Sequence, residues 1–410
     1  MQLRGKLTAG PVGHVVRTPR AVVPRVALST ASQASRHVSR RHLLFLSTLS
    51  AAGHHANANA AYVEEVQEVK QEQPGPTQPS TSGAPEQNQY VNPPTYLTTT
   101  GRVVAVGDLH GDWAKAIEAF KVAGCIRVKD DNEIVWIGGD TIVVQLGDVL
   151  DRGDNEIAIV RLLRALDAEA RNHGGAVYML NGNHESLNIC GDFRYVTPGA
   201  FMESAAFAGL DEREFKDWEL LARVRYAVYK PGGPMAMELS KNPTVLVIND
   251  TAFAHGGLLP VHVAYGLEKL NSEVASWMRA DRSGESGTAA PPFLAMGDAQ
   301  SVMWNRTYSK ERYPSPHERF HACNSLKQAL GRINAKRLVV GHTPQLGGAN
   351  CECDGGVWRI DVGMSYGVLN RPVQVLEIVK DLVSNESTVR IISNESQLSV
   401  DLEEAASVDL

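Results

Sequence analysis

Cysteine is scarce, five residues in 410, and too few for a disulfide framework. Long apolar runs are also missing. The run from Leu43 to Ala52 is about half of the roughly 20 residues a helix needs to cross a bilayer, so no stable membrane span is expected. Acid is absent from residues 1–61, which carry eight basic residues: Arg4, Lys6, Arg17, Arg20, Arg25, Arg36, Arg40 and Arg41. The rest of the chain then holds 32 Lys/Arg against 46 Asp/Glu, a net −14. An acidic body repels polyanions, so no nucleic-acid partner is expected.

The basic segment reads as an address. Residues 11–40 are rich in Ser, Thr, Arg and Ala, as organellar transit peptides are. Arg40 and Arg41 precede the short apolar run, and "ANANAA" (Ala56 to Ala61) offers small residues for cleavage. The pattern is that of a plastid transit peptide followed by a twin-arginine signal. Chloroplast is the expected location, with the thylakoid lumen as the finer expectation and the mitochondrion as the alternative.

Residues 62–99 hold an acidic stretch and then six prolines between Pro74 and Pro94, which suits an extended, disordered linker. From Arg102 onward, β-rich apolar runs alternate with helical patterns. Helices are expected over 112–123 and 154–172, the second with Asp154 as N-cap. The alternation predicts an α/β layered domain over 100–385, with sheets packed as a sandwich. Two insertions stand out: a helical one at 193–236, read as a lid-like cap or packing scaffold, and a flexible loop at 280–292. Residues 386–410 are read as a short strand and a solvated acidic tail.

Polar motifs recur where the predicted strands end. "GDLHGD" offers Asp108 and His110; "QLGDVLDRGD" offers Asp148, Asp151 and Arg152; "LNGNHES" offers Asn183, His184 and Glu185. "AHGG" adds His255 and "VVGHT" adds His342. Each motif contains glycine, which lets backbone approach a site closely. A lone histidine at a strand end is ordinarily a structural residue, and a lone Asp-Gly is a turn. Five such motifs in one α/β domain are different, because strand ends converge on one edge. Two Asp, one Asn and three His make an oxygen–nitrogen donor set without sulfur. That set suits Mn²⁺, Fe or Zn²⁺ better than Mg²⁺. Six donors exceed what one catalytic ion with open positions takes, and suit two ions sharing a carboxylate.

These motifs resemble the signatures of the phosphoprotein phosphatase family of calcineurin-like metallophosphoesterases, over Arg102 to about Gly367. "SVMWNR", "CDGGVWRIDVGMSYG" and Asn181 before "GNHE", where eukaryotic Ser/Thr phosphatases carry Arg, are similar to the Shewanella-like branch of plants, algae and apicomplexans. The resemblance implies a four-layer α-β-β-α fold, a β-sandwich flanked by helices. It implies two metal ions, Mn first with Fe or Zn as alternatives. Asp108 and His110 would hold one, Asn183, His255 and His342 the other, and Asp148 would bridge. Arg152 and Arg306 would clamp the phosphate. A hydroxide bridging the metals would attack phosphorus in line, and His184, oriented by Asp151, would protonate the leaving oxygen. The expected substrate is a phosphorylated protein. The alternatives are dinucleoside polyphosphate hydrolysis on the same site, or an inactive phospho-binding scaffold. Cys351 and Cys353 are read as loop cysteines, with a redox switch as the rival reading. The sequons at Asn305, Asn385 and Asn394 are read as chance.

Overall fold

The computed structural model describes residues 92–280, 293–294, 298, 300–381, 383–384 and 386–394. The basic segment, the linker up to residue 91, the loop 281–292, Asn385 and the acidic tail from 395 lie outside these residues.

Two sheets carry the fold. The first contains β2 (Val103–Val106), β5 (Ile142–Gln145) and β6 (Ala176–Met179), mutually parallel, with β12 (Gln374–Lys380) antiparallel to β2 and β13 (Ser387–Ser393) outermost. The second runs β1 (Tyr96–Leu97), β7 (Val245–Ile248), β8 (Thr251–Ala254), β9 (Arg337–Val340), β11 (Val357–Arg359), β10 (Asn350–Glu352). A separate ribbon pairs β3 (Ile126–Val128) with β4 (Ile134–Trp136). The central strands are mostly apolar, apart from Gln145, Thr251 and Arg337 at their ends, and buried throughout, as strands covered on both sides are.

Period-two alternation sorts their side chains into two cores. Val103, Ala105, Ile142, Val144 and Leu146 meet Leu246, Ile248, Phe253, Val339 and Ile360 in one cluster, the seam between the sheets. The alternate residues, Val104, Val106, Val143 and Val177 on one sheet and Val245, Val247, Leu338 and Val340 on the other, join the buried sides of helices. Those helices include α1 (Trp113–Val122), α2 (Glu156–Arg171), α8 (Leu267–Arg279) and α9 (Pro316–Arg332). The result is the expected helix–sheet–sheet–helix layering. The insert supplies α4 (Pro198–Phe207), a 3₁₀ turn (Glu212–Lys216) and α5 (Trp218–Tyr229), and α6 (Pro234–Leu239) follows. Phe201, Ala205 and Leu221 give the insert a small core of its own. Among the described residues no helix is long and apolar enough to cross a membrane.

Four details differ from the sequence reading. The chain enters the sheet before residue 100, because the Val247 N–H donates to the Thr95 carbonyl and extends the edge with Tyr96–Leu97. Asp154 does not cap α2. Asn155 precedes the helix, and Asp154 accepts the Thr197 hydroxyl at 2.6 Å instead. Cys353 is not free: it is bonded to Cys323 on α9, while Cys351 remains free and exposed. Ser387–Ser393 pairs along the full length of β12, so the last strand belongs to the sheet. Asn305 is buried and donates to the carbonyls of Gly257 and Ser301, a core role in keeping with a chance sequon.

Candidate metal centre

Six strands deliver the site from their C-terminal ends, where α/β sheets place ligands. β2 leads to Asp108 and His110, β5 to Asp148 and Asp151, and β6 to Asn183 and His184 at the start of α3 (Asn183–Ile189). β8 leads to His255, β9 to His342 and β11 to Asp361. The loops need unusual backbone. His110, Asp148, Asp151, Arg152 and His342 all have positive φ, between 46° and 68°. Non-glycine residues reach this region at a cost, and such strain collects at functional sites. The first two loops touch at their glycines: a Cβ on Gly153 would lie 2.3 Å from the His110 carbonyl oxygen.

The side chains converge on Asp148, which is 2% exposed. Its Oδ2 lies 3.2 Å from His255 Nε2 and 3.8 Å from Nε2 of both His110 and His184. Two trios able to hold a cation share it: His110–Asp148–His184 and Asp148–His255–His342. Asn183 Oδ1 is 2.9 Å from His255 Nε2. Three of these histidines have one ring nitrogen held by a backbone carbonyl: His110 Nδ1 by Leu150, His255 Nδ1 by Leu146, His342 Nε2 by Trp304. That contact fixes the tautomer and frees the other nitrogen for a metal. Asp108 belongs to neither trio. Its carboxylate accepts the His342 N–H at 3.1 Å and interacts with Asp361.

Charge balance shows that the pocket suits cations. Burial, then repulsion from Asp361 and Asp148, pushes Asp108 well above the carboxylate range. Burial lifts Asp361 to about 6, and burial with Asp148 lifts Glu185 to about 7. Burial and the nearby His184 drive His110 down to about 3, a neutral ring able to donate a lone pair. Burial, His255 and Arg306 depress His342 likewise. Closely packed acids beside the neutral rings of His110 and His342 suit a divalent ion.

Beside this centre, His184 donates its Nδ1–H to Asp151 Oδ2 at 2.5 Å, and Asp151 is wholly buried. Arg152 stacks on Tyr195 at 4.9 Å, and its buried Nε meets no hydrogen-bond acceptor among the described residues. Arg306 donates to the His342 carbonyl and to Thr343 Oγ1. Trp304 and Arg306 also line a cleft of about 840 Å³ with Lys310, Tyr313, His317 and His321. Of the ten residues singled out in the sequence, His110, Asp148, His184, His255 and His342 make up the two trios, Asp108, Asp151, Asn183 and Arg306 hydrogen-bond to members of them, and Arg152 stands beside Tyr195. Two that were not assigned roles there join them. Asp361 ends a strand just as Asp108 does. Glu185 accepts the N–H groups of Asp148, Val149, Leu150 and Gly182, binding two loops together. The signal for Asp361 was present, an acid beside glycine at a strand end in "RIDVG". Glu185 could be seen only as part of "GNHES".

Residues 101–346 match calcineurin-like phosphoesterase. The chain belongs to that family. It is 41% identical over 324 residues to Shewanella-like protein phosphatase 2 of Arabidopsis thaliana, covering 72% of this chain and 78% of the relative. It is 30% identical to Shewanella-like protein phosphatase 1 of Plasmodium berghei, covering 68% and 71%. The fold is similar to that of the cold-active protein-tyrosine phosphatase of a psychrophilic Shewanella, with a TM-score of 0.53 at 21% identity, over 76% of this chain and 89% of that one. This calcineurin-like phosphoesterase thus falls in the Shewanella-like branch and is a metal-dependent phosphatase.

Proposed function

We propose that the chain dephosphorylates phosphorylated proteins. Asp108, His110 and Asp148 would hold one metal ion, and Asp148, Asn183, His255 and His342 a second, with Mn²⁺ the first choice and Fe or Zn²⁺ the alternatives. The observation that carries this reading is the position of Asp148 between two histidine groups. Bound there, the ions would acidify water and polarise a phosphoryl oxygen.

The protein's own groups supply the rest. Arg152 lies near His110 and His184, Arg306 lies at His342, and their planar N–H forks suit phosphoryl oxygens. His184 carries its proton on Nε2 toward the site when Nδ1–H is committed to Asp151, so it can protonate a departing oxygen. Although burial opposes it, the charges of Asp148 and Asp151 raise the His184 pKa, which keeps a proton available near neutral pH. The protein-phosphatase relatives favour a phosphoprotein over a dinucleoside polyphosphate. The basic, acid-free segment 1–61 supports organellar import, with the chloroplast as destination.

A direct assay decides the substrate. The metal-loaded chain is offered phosphoserine, phosphothreonine and phosphotyrosine peptides beside diadenosine tetraphosphate. Faster hydrolysis of a phosphopeptide, abolished by chelator, supports the proposal. A clear preference for the dinucleotide overturns it.

A further inference from the structure

The His184–Asp151 pair is tied to the helical insert. Asp151 Oδ1 accepts an N–H from Asn188 at 2.9 Å. Asn188 lies one turn beyond His184 in α3, and its amide also donates to the His184 carbonyl. The Asn188 oxygen accepts two hydrogen bonds from Arg225, from Nε at 3.0 Å and from a terminal nitrogen at 2.7 Å. Arg225 comes from α5 and is completely buried. Its guanidinium lies 2.7 Å from Glu156 Oε2, and Glu156 Oε1 accepts the Asp151 N–H at 2.6 Å. One arginine thus reaches Asp151 in three ways: directly, with a terminal nitrogen 3.9 Å from Oδ1, at the carboxylate through Asn188, and at the amide through Glu156. Phe193, Phe201 and Tyr229 surround the guanidinium, with Tyr229 closest at 4.6 Å.

An asparagine amide has two unlike ends, an acceptor oxygen and a donor NH₂. Two N–H groups of Arg225 on the oxygen oblige the NH₂ to face Asp151. A reversed amide would set its oxygen against the Asp151 carboxylate and leave acceptors unpaired in the interior. Asp151 itself stands at φ 68°, a conformation its backbone does not favour, so its placement depends on such partners.

We propose that Arg225 is a positioning residue for protonation of the leaving group. It holds the Asn188 amide in one orientation, which fixes Asp151 against His184, and the insert thereby governs the acid step. The inference rests on His184 acting as the general acid. Arg225 touches neither substrate nor reacting atoms.

Two variants test it, with His184→Asn run in parallel. Arg225→Met combined with Glu156→Gln removes a buried charge pair together and keeps an acceptor for the Asp151 N–H. Asn188→Leu breaks the same link while leaving Arg225 and Glu156 paired, and serves if the double variant fails to fold. The kcat/KM is measured for p-nitrophenyl phosphate, a good leaving group, and phenyl phosphate, a poor one. The low-field proton resonance of His184 Nδ1–H, assigned by its absence in His184→Asn, reports the acid pair without catalysis. Expected are a loss of about tenfold or more on phenyl phosphate, under about threefold on p-nitrophenyl phosphate, and loss or upfield movement of the resonance. Equal losses on both esters with an unmoved resonance overturn the proposal. If His184→Asn itself loses both esters equally, the reading of His184 falls, and the inference with it.

Discussion

His184 is 4% exposed and pressed against Asp151, so its chemistry is set by Asp148 and Asp151 and not by solvent. His184→Asn should retain both metals, because its role in the proposed site is to donate a proton. Turnover of a high-pKa phosphate ester should fall by about 10²–10⁴-fold. Metal analysis beside steady-state kinetics checks both halves, and unchanged hydrolysis would refute the acid role. Asp112, the last residue of "GDLHGD", has a different task. Its Oδ1 caps α1 at the Lys115 N–H, and its Oδ2 accepts the Tyr366 N–H. Asp112→Ala should cost about 1–2 kcal/mol of stability and leave metal content unchanged, as denaturant unfolding and metal analysis would show. The proposed ligands were legible because each sits beside glycine at a strand end, where the residue type alone suggests the chemistry. Arg225 was not, because an arginine in an amphipathic helix looks solvated until the fold buries it.

At the level of elements, the central strands were visible as apolar runs and α1 as a helical pattern over 112–123. The N-terminus of α2 was misread at Asp154, since Asp154 and Asn155 are both good caps and tertiary contact with Thr197 chose between them. That helix start has another partner, Glu203 from α4, which accepts the N–H groups of Ile157 and Ala158. Burial dominates there and raises Glu203 from its ordinary 4.5 to about 7. A carboxyl raised on folding adds stability at pH below its unfolded value, and that contribution is lost as pH climbs through the folded one. Wild-type stability should therefore decline relative to Glu203→Gln between about pH 4.5 and about pH 7, by at most about 3 kcal/mol. Urea titrations across that range test it; parallel curves for the two proteins would contradict it.

Over the whole molecule, local sequence announced two sheets but not their order. The neighbours β8 and β9 are separated by more than eighty residues, and β12 returns from the far end to pair with β2. Long-range pairing of this kind leaves no local trace. The same holds for Cys323–Cys353, which joins α9 to the turn after β10 across 30 residues. Closing a loop of that length stabilises by about 3–4 kcal/mol in the chain-entropy account. Replacing both cysteines with serine should lower the unfolding midpoint accordingly, and reductant should then have no further effect. A midpoint unmoved by the replacement would show that the bond contributes nothing.

In the proposed centre one carboxylate, Asp148, serves two cations. Metal content per chain, measured for the folded wild type and for Asp148→Ala after equal loading, addresses that directly. The expected result is two ions per chain in the wild type and loss of both in the variant, with its circular dichroism unchanged. Two ions retained by a folded Asp148→Ala protein would contradict it.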